Sequence, residues 1–119
     1  MGWALTPESI YEATQLFKYH GIPIYIDEHG LADGKDRYRG EFIQESLRAL
    51  HRSIHDGAEV RGYFHWSLLD NFEWSEGFWP KFGLVEVDNE TKERYVRSSA
   101  RVYGRIAQTN GLQESRRSA

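Results

Sequence analysis

Two strand-like runs, Ile22-Pro23-Ile24-Tyr25-Ile26 and Val60-Arg61-Gly62-Tyr63-Phe64-His65-Trp66, flank a single amphipathic stretch, and this arrangement restricts the fold more than any other feature. Both runs are rich in β-branched and aromatic residues and are bounded by turn formers. The stretch between them, residues 40–56, carries Phe42, Ile43, Leu47, Leu50 and Ile54 on one stripe at helical spacing and stops at Asp56-Gly57. Strand, helix, strand is the βαβ alternation of a parallel sheet. An earlier helix is predicted from Thr6 as N-cap and Pro7 as the first helical residue, with Ile10, Ala13 and Phe17 inward and Gly21 as the stop. A last helix, roughly 97–109, presents Ala100, Tyr103, Ile106 and Ala107 inward and ends at Asn110-Gly111. Residues 82–88 and Arg94-Tyr95 flank Asn89-Glu90-Thr91-Lys92, which predicts a small β-hairpin on a long aromatic loop. Asn89-Glu90-Thr91 matches a glycosylation sequon and reads here as a turn.

The chain is short enough for one domain, and the expected division is residues 3–111 as that domain and 112–119 as a disordered tail. Its difficulty is quantity. A two-stranded parallel sheet has both edges open, and two β/α units make about a quarter of an eightfold barrel. The chain reads as a piece of a larger parallel architecture.

Composition removes several functions. With 15 Lys plus Arg against 18 Asp plus Glu, the formal net charge of −3 leaves no footprint for nucleic acid and no basic stretch for a membrane surface. No apolar run approaches the roughly 18 residues of a membrane span. Residues 1–5 lack the charged and apolar regions of a secretory signal, so the expected location is cytoplasmic. The absence of cysteine excludes disulfides, thiolate metal sites and a cysteine nucleophile. His51 and His55 stand at a chelating i, i+4 spacing, but no carboxylate completes a set, and a solvated helix face is the expected reading. Gly30, Gly34 and Gly40 form no phosphate-binding fingerprint. Neither a metal nor a cofactor is predicted.

The chemistry concentrates where the first run ends, at Asp27-Glu28-His29-Gly30. Charge beside an apolar strand is costly to place. In parallel α/β folds the carboxyl ends of strands carry the functional groups. Glu28 is therefore the candidate catalytic carboxylate, weighed against a solvated loop residue. Asp27 beside it adds a like charge that raises a carboxylate pKa at close approach, and a protonated His29 would offset that charge or face solvent. Aromatics make up 14% of the chain and crowd between Tyr63 and Phe82. Such residues mostly fill cores, yet grouped with Asp, Asn and Glu they also make the stacking platforms on which sugar rings or bases sit. Glu73, between Phe72 and Trp74, needs a partner or water.

The segment Gly62-Tyr63-Phe64-His65-Trp66-Ser67-Leu68-Leu69-Asp70-Asn71-Phe72-Glu73-Trp74 resembles glycoside hydrolase family 1, the β-glucosidase and β-galactosidase family. The likeness continues through Ser75-Glu76-Gly77-Phe78 and Lys81-Phe82-Gly83-Leu84-Val85, and Ser98-Ser99-Ala100 with Tyr103 fits the family's final helix. Upstream, Ile24-Tyr25-Ile26-Asp27-Glu28-His29-Gly30 is similar to the family's nucleophile motif, usually Ile/Val-Thr-Glu-Asn-Gly. The resemblance implies the C-terminal fragment of a (β/α)8 TIM barrel: two parallel strands plus helices and a small β-hairpin, completed by self-association or by a partner fragment. It implies Glu28 as nucleophile, Trp66 as an aromatic floor beneath the sugar, Glu73 and Trp74 as binders of its hydroxyls, and Phe82 as a neighbour of the distal hydroxyl. The family's acid/base Glu lies in an Asn-Glu-Pro motif that this sequence lacks, and Asp27 and His29 replace the Thr and Asn that usually flank the nucleophile.

Two functional expectations follow. In the first, the chain is the C-terminal part of a retaining β-glycosidase acting on a β-glycoside once joined to the missing barrel. In the second, it is a self-associating barrel fragment without glycosidase activity, at most a weak vestigial hydrolase using Glu28 and His29.

Overall fold

The structure, a computed structural model, describes residues 4–112. The predicted tail 113–119 lies outside the described residues. The element order is α1 (Ser9–Phe17) with a 3-10 turn (Lys18–His20), β1 (Ile24–His29), α2 (Arg39–His55), β2 (Val60–His65), a 3-10 turn (Trp74–Glu76), β3 (Val85–Val87), β4 (Arg94–Val96) and α3 (Ser98–Thr109). β1 and β2 pair in parallel as a two-stranded sheet, and β3 and β4 form the antiparallel hairpin expected around Asn89. The described residues therefore hold parallel strands and helices but no closed barrel. No described helix is long and apolar enough to cross a membrane.

The core lies between this sheet and the helices. Ile10 of α1 and Ala49 and Leu50 of α2 form its centre, with Tyr11, Leu47, Ile26, Val60 and Tyr63 packed around them. Burying one such aliphatic side chain contributes about 1.5–3 kcal/mol, so this small cluster supplies much of the cohesion between α1, α2 and the two strands.

The start of α1 and its inward face differ from expectation. Residues 7 and 8 form a turn, and Ser9 opens the helix by donating its Oγ and its N–H to the Thr6 carbonyl at 2.7 and 3.1 Å. Thr14, not Ala13 or Phe17, shares the buried face with Ile10. Its hydroxyl is 2.6 Å from Ser53 Oγ of α2 and donates to the Ile10 carbonyl at 2.8 Å. Small hydroxyl residues let the two helices approach closely while satisfying one another, and that pairing outranks the apolar stripe. Gly21 ends the segment in the left-handed region, φ 64°, as its permissive backbone allows. Ile54 and Ala107, both expected inward, are exposed; Ile54 lines an open concavity with Leu47, Leu50 and Ile106.

Candidate active site

Glu28 owes its position to an irregularity in strand pairing. In a regular strand Ile26 and Glu28 would share one face, and Ile26 packs on the helix side. Between the register pairs Ile26↔Tyr63 and His29↔His65, however, β1 has one residue more than β2. A compensating extra residue, Arg61, lies in β2 between Ile24↔Val60 and Tyr25↔Gly62. Such bulges re-aim side chains. The consequence is that Asp27 and Glu28 are both exposed, whereas His29 returns to the helix side.

There the His29 ring stacks on Phe42 of α2, with centroids 4.9 Å apart, and its Nδ1 is hydrogen-bonded to the Tyr63 hydroxyl at 3.0 Å. Burial pushes the His29 pKa down and the Tyr63 pKa well above its ordinary value. His29 is thus a neutral packing residue of the helix layer, not a cation set against the charges of Asp27 and Glu28.

Trp66 follows β2 directly. Its N–H donates to the His29 carbonyl at 3.0 Å, which brings the half-buried indole to the same end of the sheet as Glu28. Gly30 makes this approach possible: a Cβ there would sit 1.8 Å from the Trp66 carbonyl oxygen. The Trp66–Ser67 peptide bond is cis.

Beyond Trp66 the chain runs into the aromatic loop, closed at its base by hydrogen bonds between its two arms. Ser67 N–H donates to the Phe82 carbonyl, Leu84 N–H to that of Ser67, and Val85 N–H to that of Leu68. The base is locked by a buried ion pair. Arg97 donates to both carboxylate oxygens of Asp70, at 2.9 and 3.0 Å, and to the Gly83 carbonyl at 2.7 Å; the two side chains are 5% and 3% exposed. Asp70 Oδ1 also accepts from the Gly83 N–H at 2.9 Å. A charge pair this far from water is tolerable only when its polar atoms are engaged, as these are.

The tip of the loop carries the other sugar-site candidates. Glu73 is half-buried, and its N–H donates to the Gly77 carbonyl at 2.7 Å. Trp74 has φ 46° and is 82% exposed. Phe82 differs from these, being only 4% exposed inside the loop base, where little of its ring is open to a ligand.

A second buried arginine secures the loop after β1. Arg39, at the start of α2 and fully buried, donates to the carbonyls of Asp33 and Lys81 at 2.6 and 2.7 Å and pairs with Asp36. Asp36 Oδ2 accepts from the Ser99 N–H at the start of α3, at 2.9 Å. These contacts hold Asp36 below the ordinary carboxylate range, against the opposing effect of its partial burial. Near this cluster His65 projects toward Tyr103, and neither of its ring nitrogens has a hydrogen-bond partner among the described residues. Burial, reinforced by Arg39 and His29, brings its pKa down to about 4.

Glu28 and Trp66 thus stand at the same end of the sheet, Glu73 and Trp74 occupy the tip of a braced loop leaving that end, and Phe82 belongs to the brace. His51 and His55 are exposed on α2, and no group of three described His, Asp or Glu residues is placed to hold a metal ion. The positioning residues Arg39, Asp70 and Arg97 escaped the sequence reading. A fixed run of Asp33, Asp36 and Arg39 at threefold spacing is their one local signal; Asp70 and Arg97 are too far apart in sequence to leave one.

The chain is 45% identical to a β-galactosidase of Sulfolobus acidocaldarius over 95% of its own length and 23% of that protein's. It is 38% identical to β-glucosidase A of Thermotoga maritima over 96% of its length and 28% of that protein's. The solved β-glycosidase from Pyrococcus horikoshii superposes with a TM-score of 0.93 at 50% identity, covering 96% of this chain and 27% of that one. The chain therefore spans only about a quarter of the relatives it matches. Residues 1–112 match the profile of Glycosyl hydrolase family 1, and the chain belongs to that family.

Proposed function

We propose that this chain supplies the nucleophile and part of the sugar site of a retaining β-glycosidase, with residues 3–111 as one partial barrel. The observation that carries the reading is the extra residue in β1, which frees Glu28 from the helix face and leaves it exposed near the carboxyl end of the strand, at the same end of the sheet as Trp66. In a retaining mechanism two carboxyl groups stand roughly 5–5.5 Å apart. Glu28 would attack the anomeric carbon and form a glycosyl ester, while the second group protonates the departing oxygen. Water then cleaves the ester with that second group acting as base. The second carboxyl group would come from barrel segments outside this chain, which has no Asn-Glu-Pro motif. The Trp66 indole suits the C–H face of a pyranose, and Glu73 and Trp74 would hold its hydroxyls so that the anomeric carbon faces Glu28. Phe82 serves the site by supporting that loop.

The test is complementation. Mixed with an N-terminal family 1 fragment that carries an Asn-Glu-Pro motif, the chain is expected to restore hydrolysis of a nitrophenyl β-glucoside or β-galactoside. Glu28→Gln should abolish it, since an amide cannot form the ester. Absence of hydrolysis in a demonstrably assembled complex, or undiminished rate in the variant, would overturn the reading.

A second reading has its own support. Tyr25 and Phe64, on the sheet face away from the helix-side core, are 55% and 58% exposed, and both strand edges are unpaired in the two-stranded sheet. Exposed apolar surface with open edges favours association. Under this reading the chain assembles with copies of itself and has no glycosidase activity, and a monomer by light scattering at micromolar concentration would exclude it.

A further inference from the structure

The loop after β1 and the segment 79–81 enclose a cleft of about 520 Å³ whose character differs from the rest of the molecule. Its lining includes Lys35, Arg37 and Lys81 together with Tyr38 and Trp79. None of the three cationic side chains has an ion-pair partner among the described residues, although the chain as a whole is acidic. The carboxylate in the lining, Asp33, is already engaged, its Oδ2 accepting from the N–H groups of Tyr38 and Arg39 at 2.7 and 3.2 Å. Lys35, Arg37 and Lys81 outnumber the Asp33 carboxylate in the lining, so the concavity carries a net positive charge that favours an anion.

The cleft is also built rather than incidental. Its two walls are tied together by the Asp33 N–H, which donates to the Lys81 carbonyl at 3.0 Å, and by buried Arg39, which donates to the carbonyls of both residues. The Trp79 ring is held by its Nε1–H, which donates to Glu76 at 2.9 Å, yet over half of the side chain is exposed, as is that of Tyr38. A held, accessible indole with the accessible Tyr38 ring in the same lining, beside unpaired cations, matches a flat organic anion. None of the sugar-site candidates, Glu28, Trp66, Glu73 or Trp74, lines this cleft.

We infer that the cleft between residues 31–38 and 79–81 is a binding site for a planar organic anion, its carboxylate received by Lys35, Arg37 and Lys81 and its ring lying against Trp79 or Tyr38. The ligand chemistry is an aryl carboxylate, arriving either as a free acid or as part of a glycoside's leaving group; only the second source rests on the glycosidase reading above.

The test uses 4-hydroxybenzoate and its uncharged methyl ester as probes of the ¹⁵N-labelled chain. The acid is expected to shift the Trp79 indole and the amides of residues 33–37 saturably, with binding that weakens as salt is added. The double variant Lys35→Ala, Arg37→Ala, which removes two exposed, unpaired side chains, should bind the acid about tenfold more weakly, the sum of two solvent-exposed charge contacts. Equal binding of acid and ester, or shifts confined to other residues, would overturn the proposal. In the complemented barrel, a higher kcat/KM for a 4-carboxyphenyl than for a phenyl glycoside, lost in the double variant, assigns the anion to the substrate. Equal values with retained binding assign it to a free acid. Failure of complementation removes the glycosidase reading and leaves the probe-binding result to stand by itself.

Discussion

His65 should make the fold sensitive to mild acid. Its side chain is largely buried, beside Tyr103 of α3, and the charged and titratable groups that act on it are Arg39, Asp36 and His29. The unfolded chain takes up a proton on this imidazole near pH 6.5, whereas the folded chain does so only near pH 4, because burial and the Arg39 charge oppose the cation. Between those values the unfolded state binds more protons, so stability falls as pH falls. The contribution is intact above pH 6.5, is lost progressively on acidification, and is gone once pH passes below about 4. With each pKa unit equivalent to 1.36 kcal/mol, the loss between about pH 7.5 and pH 5 comes to about 2 kcal/mol. That is a large part of the roughly 5–15 kcal/mol that a domain has. Urea unfolding followed by tryptophan fluorescence at the two pH values measures it, because most carboxylates remain ionised at both. His65→Phe keeps a ring against Tyr103 but cannot titrate, so its pH-dependent loss should be smaller by about 2 kcal/mol. Equal losses in the two proteins would refute the reasoning. His29, also lowered by burial, contributes in the same direction in both proteins.

Two further substitutions probe the frame that positions the site. Gly30→Ala would place a Cβ within 3 Å of the Trp66 carbonyl group, forcing the two strand ends apart; urea melts should show a loss of about 3 kcal/mol, in the range of severe overpacking, and an unchanged midpoint would contradict the close approach. Asp70→Ala would leave buried Arg97 uncompensated apart from Glu86, 3.7 Å away and largely exposed. The expected cost is about 3–5 kcal/mol, with a smaller cost when Arg97→Met is combined with it; additive losses in a double-mutant cycle would show that the pair is not coupled.

The order of elements was legible in the sequence because it rests on local periodicity. The stripe of Ile43, Leu47 and Leu50, the hairpin turn at Asn89, and the strands that contain Ile24–Ile26 and Val60–His65 all appear where the pattern puts them. The face of α1 was misread because Thr14 and Ser53 are polar by composition yet bury themselves against each other, a pairing between residues in two different helices. The role of His29 was illegible for a similar reason. As a neighbour of Glu28 in sequence it suggested a cation at the site, but one extra residue in β1 turns it onto Phe42.

By itself the sequence therefore determined the alternation of strand and helix, the carboxylate near the end of the first strand, and the family whose motifs run along the chain. These are properties of neighbours, recorded within a few residues of each other. Only the tertiary structure decided that Glu28 is exposed and His29 is not, that Arg39 and Arg97 clamp the two loops, and that Lys35, Arg37 and Lys81 share a cleft. Each of those outcomes depends on strand register or on contacts between distant segments, which are selected by packing and by the need to satisfy buried polar groups, and a linear pattern does not carry them.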